Sequence, residues 1–274
     1  MKPRHLPLLL APLATLLAAP LAAAPVTLVD DAAGYRLGTV TQLPDAPRGQ
    51  AQDCTFGASQ SPEAAAVAAK GWQVVAEAMI GPYRAVSFAP GSLNGPSGSC
   101  YIDGGNLGLF EAGKLFAIVW SETDRDLSLG NLQAISPNLL RLLDGGAPEL
   151  PAADLHLAAD GSLSLLPLPE SESHCGGKAV LPLAWGDSLG AARGDLLAAG
   201  WQPAPTTAPS EAAQELIAAG FPEAEDCAGS GAQYCSFNFA TKDAQLRVIT
   251  IGESRDAQGP SIVDYEVSCT AGGQ

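Results

Sequence analysis

The sequence is poor in basic residues, and this scarcity argues against two classes of partner. Of 274 residues, 14 are Lys or Arg and 29 are Asp or Glu, so the formal net charge is −15. Binding to a nucleic-acid backbone or to an anionic membrane surface depends on Lys and Arg displacing counterions. We therefore expect no nucleic-acid partner, and we interpret the acidity as a source of solubility.

Metal-binding patterns are also scarce. The chain has three histidines, of which His156 and His174 lie beyond the N-terminal segment, and it contains no CxxC pair. Neither histidine has a second ligand at the spacing of a zinc site. The run 124–130 alternates oxygen ligands, but its glycine falls one place late for a calcium loop and no acid closes its far end. We expect no metal and no cofactor.

Residues 1–24 have the pattern of a secretory signal peptide. Lys2 and Arg4 supply positive charge, an apolar run follows over 6–21, and 22–24 are small residues suited to cleavage. The run is short and interrupted by proline, which disfavours the alternative of an uncleaved membrane anchor. No later segment approaches a membrane-spanning length. The sequence therefore predicts a periplasmic or secreted protein without membrane attachment after cleavage.

All six cysteines lie beyond the predicted signal, and an even number in an exported chain predicts disulfides. Many pairings are possible, and the sequence alone does not fix one. Position along the chain favours one pair in the first half, one that closes a glycine-containing loop, and one that joins the two ends of the second domain. These pairs are Cys54 with Cys100, Cys227 with Cys235, and Cys175 with Cys269.

Residues 26–168 predict a mainly-β domain with one or two short helices. Short segments of alternating polarity between turn signals are typical of a sheet sandwich or an open barrel. Ser61 and Pro62 begin a helix, as N-cap and first helical residue. Asp160-Gly161 predicts a tight turn. The strands are expected over 26–29, 35–40, 83–88, 106–110, 114–120, 138–143, 154–158 and 162–166.

Residues 169–177 are polar and rich in turn formers, and they predict a linker. Beyond the linker, residues 178–274 predict two helices followed by a three-stranded antiparallel sheet. The helices are expected over 188–199 and 210–219, where apolar residues recur at helical spacing. The strands are expected over 234–240, 246–251 and 262–269. The fold class expected for the whole chain is α+β.

A glycine followed by an aromatic residue ends each predicted helix. The pairs are Gly71-Trp72, Gly200-Trp201 and Gly220-Phe221. A glycine after a helix adopts the left-handed conformation, and the apolar residue after it packs back on the last turn. A row of exposed aromatics for carbohydrate or partner binding is the functional alternative. We expect core packing, because the capping motif itself requires an apolar residue.

The second domain carries a set of short motifs over residues 180–269. They are Trp185, AGWQP at 199–203, GFPE at 220–223, and CAGSG at 227–231 followed by Cys235. With these motifs the segment resembles small exported domains of proteobacterial proteins. The resemblance implies a compartment and a fold but no activity, since such domains are largely of unassigned function. The order of elements is also similar to that of β-lactamase-inhibitor-type modules and outer-membrane assembly lipoproteins.

One short catalytic motif is present. Residues 186–189 spell GDSL, the nucleophile block of a serine esterase family, in which a histidine must deprotonate the serine, here Ser188. That family carries its histidine near the C-terminus, and no histidine follows His174 in this chain. The alternative is that Asp187 or Ser188 caps the helix that follows. We favour the cap and expect no catalytic residue.

These patterns together predict an exported, non-enzymatic protein with a binding or structural role in the cell envelope. The expected partner is a protein or a glycan. Two alternatives stay open: a GDSL-type serine esterase that uses Ser188, and an inhibitor-like protein-binding module, which rests on the order of elements in the second domain.

Overall fold

The structure is a computed structural model, and it describes residues 26–32, 34–57, 61–121, 127–229, 231–252 and 258–270. The predicted signal peptide, residues 1–24, lies outside the described residues, as does the acidic start of the run 124–130. No described helix is both long enough and apolar enough to cross a membrane. The described residues contain nineteen strands and three α-helices.

The chain is therefore mostly β, and the expected α+β class is wrong. The helices α1 (Pro62–Ala68), α2 (Leu189–Ala198) and α3 (Glu211–Ala218) have only seven, ten and eight residues. Segments without clear alternation also form strands. The strands of the first part are β1 (Leu28–Asp30), β2 (Tyr35–Thr39), β3 (Gln73–Ile80), β4 (Tyr83–Ala89), β5 (Gly91–Asn94), β6 (Cys100–Asp103), β7 (Asn106–Glu111), β8 (Lys114–Ser121), β9 (Leu129–Ser136), β10 (Leu139–Asp144), β11 (Pro151–Leu157) and β12 (Leu163–Leu166).

Two five-stranded sheets pack face to face in this first part. One has the order β1-β12-β11-β10-β9, with β1 parallel to β12, and the other is antiparallel with the order β2-β8-β7-β4-β3. Alternate side chains of both sheets meet in one apolar core, as in a β-sandwich. Fully buried members of that core are Leu107, Leu109 and Val119 on one side and Leu140, Leu142 and Leu155 on the other.

The second sheet is covered on its outer face as well. Helix α1 lies there, and Val67 packs with Phe88 and Phe110 in a small separate cluster that Trp72 joins. A two-stranded hairpin, β5–β6, extends from the same part of the chain. Because both faces of the second sheet are covered, its central strands are apolar on both sides.

The remaining residues build a second core. Its strands are β13 (Ser171–His174), β14 (Ala179–Pro182), β15 (Gln202–Pro203), β16 (Ala224–Cys227), β17 (Cys235–Ala240), β18 (Ala244–Ile251) and β19 (Ser261–Cys269). The three expected strands form an antiparallel meander, β17-β18-β19, but β15 and β16 both add to it beside β17. The expected helix–helix–three-stranded arrangement is therefore wrong, since the sheet has five strands and a separate hairpin, β13–β14, precedes the helices.

The glycine–aromatic pairs that end α2 and α3 pack into this core, as predicted. Gly200 has a φ of 95°, and the Trp201 amide donates to the Leu196 carbonyl at 3.0 Å. The Phe221 amide likewise donates to the Leu216 carbonyl at 3.0 Å. Trp201 is 0 % exposed and Phe221 is 3 % exposed, so both aromatics are structural.

A buried arginine connects the first core with β13. Arg141 on β10 donates from Nε and Nη2 to the Asp154 carboxylate at 2.9 and 3.0 Å, and from Nη1 to Glu172 Oε1 at 2.7 Å. Burial alone would lower the pKa of Arg141, but its hydrogen bonds to Asp154 and Glu172 raise it above its ordinary value. Strand β13 lies within the segment 169–177, so part of the predicted linker is ordered by this contact.

Candidate functional site

The six cysteines form three disulfides in the pairs favoured from their positions. The Cα atoms are 6.1 Å apart in Cys54–Cys100, 5.5 Å in Cys175–Cys269 and 4.1 Å in Cys227–Cys235. Structural disulfides persist in oxidising compartments. The chain therefore has the character of a protein from an oxidising, extracytoplasmic environment.

The serine of the GDSL motif caps α2. Ser188 Oγ accepts a hydrogen bond from the Ala191 amide at 3.3 Å and lies 3.4 Å from Gln258 Oε1. Within the described part of the chain, neither His156 on β11 nor His174 on β13 hydrogen-bonds Ser188; His174 Nε2 lies 3.5 Å from Glu172 Oε2 instead. The capping interpretation of this motif is confirmed.

The described residues also contain no group of three or more His, Cys, Asp or Glu side chains placed to hold a metal ion. Of the run 124–130, Ser128 is buried at 4 % exposure, and its hydroxyl accepts from the Gly105 amide at 2.7 Å. That hydroxyl is used within the fold.

The feature best suited to binding is a cleft between the two cores, which we call the tyrosine cleft. It has a volume of about 550 Å³, within the range of about 300–1,000 Å³ typical of ligand pockets. No charged residue occurs among the described residues that line it. These are Pro96, Gly98, Ser99, Tyr101, Ala147 and Pro148 from the first core, and Gly231, Ala232, Tyr234 and Ile251 from the second.

Two tyrosines line the cleft, one from each core, and each is next to a disulfide-bonded cysteine in the sequence. Tyr101 directly follows Cys100 and is 43 % exposed, while Tyr234 directly precedes Cys235 and is 45 % exposed. Leu93, 51 % exposed, stands directly opposite Tyr101 in the β5–β6 hairpin. The cleft therefore adjoins an exposed apolar patch on a covalently anchored hairpin.

The backbone on both sides of the tyrosine cleft is tied by short hydrogen bonds. On the β5–β6 side, the Gly95 amide donates to the Ser99 carbonyl at 2.8 Å and the Ser99 hydroxyl to the Pro96 carbonyl at 2.7 Å. A Cβ atom at Gly95 would meet the ring of Tyr101 at 2.5 Å, so this ring packs directly over the glycine. The loop around Tyr234 is closed by the Ala228 amide, which donates to the Tyr234 carbonyl at 2.8 Å.

The composition of the tyrosine cleft suits the binding of another molecule. The described side chains that line it include aromatic rings and a hydroxyl group, and none of them carries a carboxylate, imidazole, amine or thiol. Aromatic enrichment with depletion of charge is the signature of the buried part of a protein interface. Tyrosine combines an apolar body with a hydroxyl that can stay hydrated, and it is enriched among the residues that dominate binding energy.

A larger groove of about 920 Å³ lies on the sheet of the second core, and three of the four charged side chains among its described lining residues pair with one another. Arg247 Nε lies 3.5 Å from Glu225 Oε2, and Arg247 Nη1 lies 3.4 Å from Glu266 Oε2. The Ser236 hydroxyl contacts the same Glu225 carboxylate at 3.3 Å. This mutual pairing leaves the tyrosine cleft as the better candidate.

Sequence reasoning did not single out Tyr101 or Tyr234 as site residues. A local signal existed, since each is the immediate neighbour of a cysteine, so a disulfide fixes the backbone beside each ring. Alternation in 234–239 also places Tyr234 on the opposite parity from the buried Phe237 and Phe239. Nothing in the sequence brings the two tyrosines to one cleft, because 133 positions separate them.

Comparison of the sequence with known protein families and with curated proteins, and of the structure with solved structures, finds no match.

Proposed function

We propose that this chain is an exported, non-enzymatic binding protein of the cell envelope, and that a protein partner docks on the tyrosine cleft. The observation that carries the proposal is the pair of half-exposed tyrosines, Tyr101 and Tyr234, in a cleft with an uncharged lining. The three disulfides and the predicted signal peptide support a periplasmic or secreted location.

A protein partner is favoured over a glycan by the patch around the cleft. Leu93 and Tyr101 form an exposed cross-strand pair beside it, and an aliphatic side chain in such a patch suits an apolar protein surface. The disulfides next to Tyr101 and Tyr234 fix the backbone of both residues in the unbound protein. Binding then costs less ordering entropy than it would on a flexible loop.

The experiment is capture from a cell-envelope extract, followed by affinity measurement with the purified partner. The wild-type protein and the double variant Tyr101→Ala/Tyr234→Ala are compared, with Met79→Ala as the control because Met79 is equally exposed, at 45 %, outside the cleft. We expect one dominant protein whose Kd rises by at least about 30-fold in the double variant, the effect of a hot spot worth about 2 kcal/mol. Met79→Ala should bind as the wild type does.

Two outcomes would count against a protein docking on the cleft. A partner that the double variant retains with unchanged Kd would place the interface elsewhere. A partner that survives proteolysis of the extract but is lost after glycosidase treatment would make the ligand a glycan.

The non-enzymatic part of the proposal is tested separately. Hydrolysis of p-nitrophenyl esters is measured for the wild type and for Ser188→Ala, in which the α2 cap is lost. Ser188→Gly is the structural control, because glycine retains much of the capping preference but has no hydroxyl. An activity that both substitutions abolish in folded protein would restore the esterase alternative.

A further inference from the structure

A second pocket lies on the outer face of the sandwich, beside α1 and the β7–β8 turn, and we call it the lysine pocket. It has a volume of about 440 Å³. Its apolar wall is formed by Leu43, Val67, Phe110 and Leu115, of which the first three are at most 9 % exposed. Thr41, Gln42, Ala66, Lys70, Gly113 and Lys114 complete the lining.

The two lysines give this pocket an unusual charge for such an acidic chain. The whole sequence has five lysines and a net charge of −15, yet two of the five border one small apolar pocket whose described lining includes no acidic residue. Lys70 follows the C-cap of α1, and Lys114 begins β8 directly after the tight turn at Ala112 and Gly113. The backbone therefore fixes the origin of both side chains.

The two ammonium groups differ in their present partners. Lys70 Nζ lies 3.0 Å from Asp45 Oδ1, an exposed pair in which the Asp45 side chain is 81 % exposed. Lys114 is exposed and stands opposite Glu111 in the β7–β8 hairpin, but no ion pair within 4.0 Å joins it to a residue that the structure describes. An exposed pair of this kind is weak and exchanges readily for another anion. Both ammoniums can therefore face a bound negative group.

We propose that the lysine pocket binds a medium-chain alkyl carboxylate. The alkyl chain lies against the apolar wall, where its removal from water stabilises the complex, and the carboxylate lies at Lys70 and Lys114. Charge complementarity selects the sign of the head group, since these are the cations at the pocket. The modest volume selects one short chain rather than a two-chain lipid. This proposal is independent of the tyrosine cleft.

The first test titrates decanoate into the full chain by calorimetry, with decanol as the uncharged control and decyltrimethylammonium as the cationic one. We expect decanoate to bind most tightly. Shortening the chain to octanoate should weaken binding by up to about fourfold per methylene. Lys70→Gln and Lys114→Gln should each weaken decanoate binding about two- to fivefold and leave decanol unchanged. Lys242→Gln, the same charge change at an exposed site on the second core, should have no effect.

Two further variants test the position and the head group. Ala66 lines the pocket from an exposed position on α1, so Ala66→Trp should block decanoate and decanol alike, whereas Ala65→Trp, exposed on the same helix but outside the lining, should not. Asp45→Asn should tighten decanoate binding, because it removes the anion that competes for Lys70.

Several results would overturn the proposal. Equal affinity for decanoate and the cationic surfactant would remove the role of the lysines, and so would unchanged binding in the Lys70→Gln/Lys114→Gln double variant. Binding to vesicles of anionic phospholipid without binding to free decanoate would make the site a membrane contact instead. Tight decanoate binding that Ala66→Trp leaves intact would place the ligand elsewhere.

Discussion

Replacing Arg141 by methionine tests whether the buried ion pair holds the sandwich together. Arg141 and Asp154 have side-chain exposures of only 5 % and 7 %, and two short hydrogen bonds join them. Arg141→Met leaves the Asp154 carboxylate buried without its partner, and breaking such a pair costs about 3–5 kcal/mol. For a chain of this size the melting temperature should fall by roughly 6 to 20 °C.

The assay is equilibrium unfolding in urea, with Arg36→Met as the matched control. Arg36 lies 3.6 Å from Asp30 on the same sandwich with a side chain that is 46 % exposed, so its loss should cost less than about 1 kcal/mol. The decisive variant is Arg141→Met/Asp154→Leu, in which no buried charge is left unpaired at these two positions. It should recover most of the lost stability, since an apolar pair of similar volume often matches a buried ion pair. The reasoning is refuted if Arg141→Met behaves like Arg36→Met, or if the double variant is no more stable than the single one.

Three other predictions follow from the fold. Removing the Cys175–Cys269 disulfide, which spans 94 residues, should lower the free energy of unfolding by about 4–5 kcal/mol in a urea titration. If its removal costs less free energy than removal of the short-loop disulfide Cys227–Cys235, the chain-entropy argument is contradicted. Gly194→Ala, in the middle of α2, should stabilise the folded protein by about 0.5–1 kcal/mol. Gly200→Ala, at a φ of 95°, should destabilise it by about 1–2 kcal/mol, and melting curves of both variants check that the two effects have opposite signs. Burial raises the pKa of Glu149 above its ordinary value, so the folded chain binds this proton more tightly than the unfolded chain does. The folded state therefore loses stability as the pH rises from the unfolded pKa of about 4.3 through the raised folded value. Glu149→Gln should therefore be more stable than the wild type at pH 7, and the difference should vanish below about pH 4 in unfolding titrations at both pH values.

The sequence predicted the hairpin whose strands flank a clear turn signal, Glu111-Ala112-Gly113. The hairpin of β7 and β8 was expected over 106–110 and 114–120, and the structure has it at Asn106–Glu111 and Lys114–Ser121. Strand β3 was missed because its side chains do not alternate regularly between apolar and polar. Its register shifts between Val74 and Ala76, which reverses the parity of its side chains partway along, and α1 covers one face while the sandwich core covers the other. A strand that is covered on both faces does not show the alternation of apolar and polar residues that predicts a half-buried strand.

The wrong fold class has a similar cause. Both helices expected beyond residue 178 exist, but β15 and β16 have only two and four residues, too few for any period to be visible. Strand β16, with the sequence AEDC, even carries two acidic residues. It forms because β17 offers a pairing edge, and that edge is a product of tertiary structure. Length and alternation therefore predicted the longer elements, while the short edge strands depended on their neighbours.

The two proposed binding surfaces differ from the rest of the chain in the same respect. Acidic residues outnumber basic ones two to one, so a surface of average composition would repel an anion and would need costly desolvation of charge under a protein partner. The described lining of the tyrosine cleft carries no charge, and that of the lysine pocket carries only positive charge. The uncharged lining of the tyrosine cleft avoids the desolvation cost for the proposed protein partner. The positive charge at the lysine pocket avoids the repulsion of the proposed alkyl carboxylate. Local composition, rather than the net charge of −15, is therefore the basis on which we propose different ligands for the two surfaces.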